Sequence, residues 1–206
     1  MPVVVEGVVG LRKALGKLAP DIKKQLDKEM RAALAPIIAD AKSHVPNSAP
    51  GGLYNYNYPG YDRKPLTSKT GRDRAFPSYD GAVVRKGLVY SIAPGRVRNA
   101  GFVSLFTLLN RSATGAIIET SGRKNPYGSP RSKSNNPNAG ARFIAGMQDV
   151  GQLVDYAGRG RESTGRLLYA AYARNQGRAL NAIMASIERA KMNLVTQIQT
   201  SKKMVA

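Results

Sequence analysis

Tyrosines and basic residues are concentrated in one segment of the chain, Gly51 to Arg74, which reads GGLYNYNYPGYDRKPLTSKTGRDR. Its tyrosines are Tyr54, Tyr56, Tyr58 and Tyr61. In an extended segment the first three would lie on one side, where they could stack nucleic-acid bases beside the basic residues that follow. The same pattern suits a protein interface, since tyrosine contributes a large amphipathic area there. Because no RRM, KH or OB-like pattern surrounds the tyrosines, we favour an arm that contacts another subunit.

Residues suited to catalysis are few. The chain has no cysteine, which excludes disulfides, thiolate zinc sites and cysteine nucleophiles. His44 is the single histidine, placed near the end of a predicted helix, where a cation complements the helix dipole. The segment GRGRES, residues 158–163, lacks the buried strand that precedes a phosphate loop, so we interpret it as a solvated basic helix start. We therefore predict a protein that is not an enzyme and that binds no cofactor and no metal.

The charge balance points to an anionic partner. The chain has 206 residues, with 32 Lys and Arg against 13 Asp and Glu, a formal net charge of +19. Residues 51–206 hold +16 of this charge. Nucleic acid or an acidic protein surface is the expected neighbour. The basic residues that we expect to contact phosphate or an acidic partner are Arg63, Lys64, Arg72, Arg74, Arg123, Lys124, Arg131 and Lys133.

Hydrophobic periodicity predicts two long amphipathic helices. Apolar residues at steps of three or four define the first stripe: Ile22, Leu26, Met30, Ala33, Ile37, Ala41 and Val45. Pro36 should kink or split that helix. A second stripe starts after Ser163, a plausible N-cap, and runs to Gln199, with Gly177 as a point where it could divide into two helices. No signal peptide is evident and no apolar run approaches the length of a membrane helix, so we expect a soluble protein.

Between the helices the sequence predicts strands and loops. Runs rich in β-branched residues at 82–93, 101–110 and 113–121 predict a small antiparallel sheet, although LFTLLN within the second run is also compatible with a helix. Residues 46–82 and 122–142 have the composition of extended loops. The prediction is an α+β fold in one domain, 1–206, with a helical segment at 1–45, an arm at 46–82, strands at 83–121, a basic loop at 122–142 and a helical segment at 143–206.

The order of these segments resembles the neck or tail-completion proteins of lambda-like and related long-tailed bacteriophages. The resemblance is most detailed in the first helices, where the family pattern is matched by Gly10, Leu11, Leu15, Leu18, Ala33, Ile37, Ala41, Lys42 and Pro46. In that family a glutamate near the end of a strand, followed by a glycine, precedes the closing region. Glu119 and Gly122 match these two positions, within the segment TGAIIETSGRKNP. The long basic loops at 46–82 and 122–142 depart from the family pattern.

This resemblance implies a structural protein without catalytic activity. It implies a homo-oligomeric ring, six- or twelve-fold, that sits between the head connector or stopper and the tail terminator and tail tube of the virion. Genomic DNA would pass through the ring with non-specific contacts at most, no membrane would be involved, and the protein would be made in the host cytoplasm. A tail terminator or other minor tail protein is a close alternative. A free basic protein that binds nucleic acid is the alternative from another class.

Overall fold

A computed structural model describes residues 8–51, 53, 66–67, 73–74, 79–93, 104–125, 137–155 and 164–205. Within these residues it confirms the α+β class. The helices are α1 Val8–Leu18, α2 Pro20–Ser43, α3 Gly81–Gly87, α4 Ala113–Thr120, α5 Ala139–Gln148 and α6 Leu168–Val205. The strands are β1 Leu66–Thr67, β2 Asp73–Arg74, β3 Leu88–Ser91, β4 Thr107–Asn110, β5 Val154–Asp155 and β6 Thr164–Gly165.

The strands pair as three separate two-stranded sheets in the described part of the chain: β1 with β2, β3 with β4 and β5 with β6. β1 and β2 are antiparallel, with Leu66 opposite Arg74. β5 and β6 are also antiparallel, with Val154 opposite Gly165. In the described residues the predicted meander is therefore replaced by short ribbons, and most of the buried apolar side chains lie in helices.

The two long helices form where the apolar stripes predict them. Pro20 is the first residue of α2, a position where its missing N–H costs nothing. The amide of Lys23 bonds to the carbonyl of Ala19, so the backbone turns directly from α1 into α2. Pro36 lies inside α2 without splitting it. At the other end of the chain α6 is one helix of 38 residues, and Gly177 does not divide it.

The chain divides into two compact units. Unit 1 comprises residues 1–37, 90–108 and 174–206, and unit 2 comprises residues 38–89 and 109–173. The apolar side chains that unit 1 buries most completely are Leu15, Leu26, Met30, Leu34, Ile37 and Ile187. Those of unit 2 are Leu53, Val84, Leu88, Ile118, Met147 and Leu167. Each unit thus has a core of its own.

Two predicted strands are wrong in whole or in part, because local caps favour helices. In the run 82–93 the first half forms α3, whose start is fixed by the side chain of Asp80, which accepts bonds from the amides of Ala82 and Val83 at 2.8 and 3.2 Å. Only Leu88–Ser91 is extended. The run 113–121 forms α4, capped by the hydroxyl of Ser112, which accepts from the amide of Gly115 at 3.1 Å. The run 101–110 is extended over Thr107–Asn110.

Two predicted boundaries also move. The last helix begins at Leu168 rather than after Ser163, because Thr164–Gly165 pairs with β5. The predicted basic loop 122–142 ends earlier than expected, since α5 starts at Ala139. None of the helices in the described ranges is long and apolar enough to cross a membrane.

Candidate functional site

Most of the predicted contact residues fall outside the described residues. These are Tyr54, Tyr56, Tyr58, Tyr61, Arg63, Lys64, Arg72, Arg131 and Lys133. Arg74 is described only through its backbone, in β2. Arg123 and Lys124 lie three and four residues after the end of α4, and of these two Lys124 is exposed.

Arg123 is directed at its own chain. Its Nη2 donates a hydrogen bond to the carbonyl oxygen of Thr164. Its guanidinium carbon lies 4.9 Å from the centre of the Tyr169 ring, a distance at which the ring face attracts a cation. The predicted contact residue Arg123 is therefore engaged with the start of α6 in this structure.

The centre of this region is Glu119, which sequence reasoning marked only through the family resemblance. Its carboxylate accepts three backbone N–H bonds: Oε2 from Leu167 at 3.0 Å and from Leu168 at 2.9 Å, and Oε1 from Tyr169 at 3.0 Å. The first amides of a helix have no partner within the helix, and the helix dipole favours a negative charge there. Glu119 thus caps α6 from a distant part of the sequence.

Burial works against the charge on this carboxylate. Glu119 is 4% exposed, and its burial raises the pKa of the carboxyl group above its ordinary value. The three backbone N–H groups and the charge of Arg123 oppose that rise. Because these amides already occupy both carboxylate oxygens, Glu119 is placed to hold the backbone of α6 rather than to exchange a proton with a ligand.

A buried arginine, Arg166, binds the backbone carbonyl groups at the end of α4. Arg166, 3% exposed, donates from Nη1 to the carbonyl oxygens of Ser121 at 2.6 Å and Ile118 at 3.2 Å. These carbonyls lie at the C-terminal end of α4, where a positive charge is favoured. Burial lowers the pKa of Arg166, and the charge of Glu119 opposes that shift. We call the set Glu119, Arg123, Gly165, Arg166 and Tyr169 the α4–α6 junction.

Two glycines allow the backbone to approach this closely. Gly122 ends α4 with a φ of +81°, a conformation that side chains other than glycine rarely adopt. At Gly165 an added Cβ would stand 2.1 Å from Oε1 of Glu119 and 2.7 Å from Cδ2 of Tyr169. The absence of a side chain at Gly165 is therefore a requirement of the Glu119 cap.

The sequence marks Glu119 as unusual, although it does not predict which groups Glu119 binds. Glu119 is the only acidic residue between Asp80 and Asp149, and it follows the apolar residues Ile117 and Ile118. A lone carboxylate in such a context is seldom buried unless it is paired. Arg166 carries no comparable signal, because it is one of many arginines in the chain.

The remaining titratable residues of the described ranges do not gather into a metal site: no group of three or more His, Asp or Glu residues lies close enough to hold an ion. His44 lies just beyond α2, where its Nδ1 is 2.8 Å from the carbonyl oxygen of Asp40 and 3.4 Å from its carboxylate. This is the helix-end position that the sequence predicts.

Comparison with protein-family models, with curated proteins and with solved structures finds no match to this chain. The resemblance to phage neck proteins therefore depends on the residues quoted above and on their order along the chain.

Proposed function

We propose that this protein is a structural virion component of a tailed bacteriophage. In this proposal it forms a homo-oligomeric ring in the neck, between the head connector and the tail tube, through which DNA passes. Two kinds of observation support it: the sequence resemblance, and the part that the matched Glu119 and Gly122 play in the fold.

The observation that carries the proposal is the Glu119 cap. The pattern of the phage neck family has a glutamate and a glycine just before the closing region. In the structure Glu119 lies in a helix rather than a strand, yet it holds the first turn of the closing helix α6, and Gly122 shapes the turn that leaves α4. Both oxygens of the matched Glu119 accept hydrogen bonds from backbone amides, and this stabilising role is consistent with a structural protein.

The strong positive charge fits the same proposal. A ring between other rings must bind its neighbours, and a chain at +19 attracts acidic surfaces during assembly. We assign most basic residues to such protein contacts rather than to DNA, because each neutralised phosphate adds a salt-dependent attraction that would retain a moving genome. Contacts with DNA would then be few and independent of sequence.

The test is electron microscopy of lysates from a phage in which this reading frame is interrupted. We expect filled heads lying apart from tails of normal length, and joined virions after purified protein is added back. Separated tails of abnormal length would favour a tail terminator instead, because a terminator limits tail growth. Normal joined particles would contradict any role at the joint.

Binding measurements on the isolated protein distinguish the other class of function. For a neck protein we expect weak binding to duplex and single-stranded DNA at physiological salt. Tight binding by the monomer, falling by orders of magnitude between low and physiological salt, would instead support a free nucleic-acid-binding protein.

A further inference from the structure

The solvent-facing side of α2 carries a row of basic side chains. Lys24, Lys28 and Arg31 are all exposed and follow one another at steps of four and three residues. At about 100° per residue the three positions lie within about 60° of each other around the helix, and they extend over about 10 Å along its axis. The buried stripe of α2, which includes Leu26 and Met30, lies on another side. We call Lys24, Lys28 and Arg31 the α2 basic strip.

The acidic residues of unit 1 leave most of this strip without an ion pair. Unit 1 has four acidic residues in the described part of the chain, and three of them are bound to basic residues outside the strip. These pairs are Asp27 with Arg12 and Lys23, Glu29 with Arg189, and Glu188 with Lys191. The fourth, Asp21, lies 3.8 Å from Lys24, and both side chains are largely exposed. No carboxylate of the described residues lies within ion-pair distance of Lys28 or Arg31.

Like charges in this arrangement oppose one another. Residues three and four apart are neighbours on a helix surface, so Lys24 repels Lys28, and Lys28 repels Arg31. On the flank of the same helix this spacing holds opposite charges, since Lys23 pairs with Asp27 at 2.9 Å. A bound anion would remove the repulsion within the strip. The row of like charges therefore indicates an anionic partner.

The surroundings of the strip favour nucleic acid over an acidic protein. Protein interfaces are depleted in lysine and have an apolar or aromatic centre. The other exposed residues of α2 between positions 21 and 35 are Asp21, Gln25, Ala32 and Ala35. This face of α2 therefore offers no apolar group larger than the methyl group of alanine. Contacts to phosphate oxygens need no apolar centre, and surfaces that bind DNA are much more positively charged than those that bind protein.

The same face favours double-stranded DNA over a single strand. Surfaces that bind single strands combine basic residues with aromatic side chains on which the bases stack, and α2 contains no aromatic residue. A duplex carries one charge per about 1.7 Å of its axis, so a straight basic row of about 10 Å has several phosphates within reach. A second copy of the chain is a poor partner, because each copy carries a net charge of +19.

We propose that the α2 basic strip binds the sugar–phosphate backbone of double-stranded DNA, with each of its three side chains neutralising one phosphate. Phosphate contacts carry no sequence information, so we expect binding without sequence preference. The strip would supply the few DNA contacts of the proposed ring, but it lies within one chain and does not need the ring. Binding by purified protein tests the strip, whereas head–tail joining in lysates tests the virion role, so the two can fail separately.

Paired variants test the proposal through the salt dependence of binding. Lys28→Gln combined with Arg31→Gln removes two charges from the strip. The matched control combines Lys86→Gln with Arg142→Gln, which also removes one lysine and one arginine charge from exposed positions in helices. Glutamine keeps a good helix propensity, and circular dichroism checks that the helix content is unchanged. Fluorescence anisotropy of a short labelled duplex gives the association constant of each protein over a range of salt concentrations.

The strip variant should bind the duplex at least about tenfold more weakly than the unmodified chain at about 50 mM salt. The slope of the logarithm of the association constant against the logarithm of the salt concentration should flatten by about 2, the value for two lost phosphate contacts. The control variant should lose less than about threefold in affinity and keep its slope. Equal losses in the two variants would show that net charge alone governs binding, and the proposal would be overturned.

A charge-preserving variant and a second probe complete the test. Lys28→Arg combined with Arg31→Lys keeps both charges and should keep the affinity and the slope. If this variant binds as weakly as the glutamine variant, the loss does not come from charge and the proposal fails. Polyglutamate is an anionic polymer without phosphate. If the glutamine variant loses affinity for polyglutamate but not for the duplex, the strip is a site for an acidic protein and the proposal is wrong.

Discussion

Oε2 of Glu119 accepts a hydrogen bond of 3.0 Å from the backbone N–H of Leu167, across 48 residues of sequence. A helix is ordinarily capped by a residue just before its first turn. Here the cap arrives from another helix, so the start of α6 and the end of α4 are fixed by the same side chain. Arg166 returns the interaction by donating to the last carbonyls of α4. The formation of unit 2 should therefore be sensitive to this one pair of residues.

Replacement of Glu119 tests that dependence. Glu119→Ala leaves the amides of Leu167, Leu168 and Tyr169 without their acceptor in a buried site, and we expect a loss of at least about 2 kcal/mol in the free energy of unfolding. The control is the adjacent Thr120→Ala, at an exposed position, which should change stability by no more than about 0.5 kcal/mol. Urea unfolding followed by circular dichroism measures both. If Glu119→Ala were as stable as Thr120→Ala, the Glu119 cap would contribute nothing to stability.

The glycine beneath the cap provides a second prediction. Gly165→Ala would place a methyl carbon 2.1 Å from Oε1 of Glu119, and this oxygen cannot move away without breaking its bond to Tyr169. We expect a destabilisation of about 1–3 kcal/mol.

Gly177→Ala is the matched control for that substitution. Gly177 lies in α6 with nothing within 4 Å of an added Cβ, so alanine should stabilise the helix by up to about 1 kcal/mol. The two substitutions should therefore shift the thermal midpoint in opposite directions. Gly165 lies in β6 and Gly177 in α6, so a midpoint that does not fall for Gly165→Ala would contradict the close contact with the Glu119 carboxylate.

The long helices were predictable, because their apolar stripes are sustained over many turns. In α2 the stripe residues Leu26, Met30, Ile37 and Ala41 are all buried. Periodicity failed for the short segments. GAVVRKG and ATGAIIET contain several β-branched residues, but each is only about two turns long. Each follows a capping side chain, Asp80 or Ser112, and the cap favours a helix. An Asp or Ser just before such a run is the sequence feature that indicates a helix start.

The candidate site was only partly predictable. Glu119 and Gly122 stood out by resemblance, and the position of Arg123 beside them was read as outward-facing. In the structure Arg123 lies over the ring of Tyr169 and donates a hydrogen bond to the carbonyl oxygen of Thr164. Both residues are more than 40 positions further along the chain. Pairing between such distant residues depends on how α4 and α6 meet, and a single sequence contains no periodic signal for that. The prediction that Glu119 lies in a strand was wrong for a local reason, because the Ser112 cap starts the helix α4 there.

Unit 1 contains its own partly buried ion pair, formed by Arg12 and Asp27 at 2.6 Å. Arg12, 8% exposed, also donates to the carbonyl oxygen of Ile92. Arg12→Met preserves the length of the side chain but leaves both acceptors without this donor. We expect a loss of about 1–3 kcal/mol in urea unfolding. Lys13→Met, at the exposed neighbouring position, should change stability by no more than about 0.5 kcal/mol, and a similar loss in both variants would refute the role of Arg12.

Acid should weaken the same ion pair. Burial alone would raise the pKa of Asp27, but hydrogen bonds from Lys23 and Arg12 outweigh it and hold that pKa below the ordinary 3.8. A carboxyl group whose pKa is lowered by folding stabilises the protein above its unfolded-state pKa, and that contribution is lost as the pH falls through the folded-state value. Asp27→Asn removes this titration.

The stability difference between the unmodified chain and Asp27→Asn should therefore be constant from pH 7 to about pH 5 and shrink as the pH falls below about 4. Glu119, whose pKa burial raises, contributes in the opposite sense, with stability that declines as the pH rises above about 4.5. It is present in both proteins, so its contribution cancels from the difference. Thermal unfolding of the two proteins at matched pH measures the effect. A difference that stays unchanged down to pH 3 would mean that Asp27 gains nothing from its charge in the folded chain.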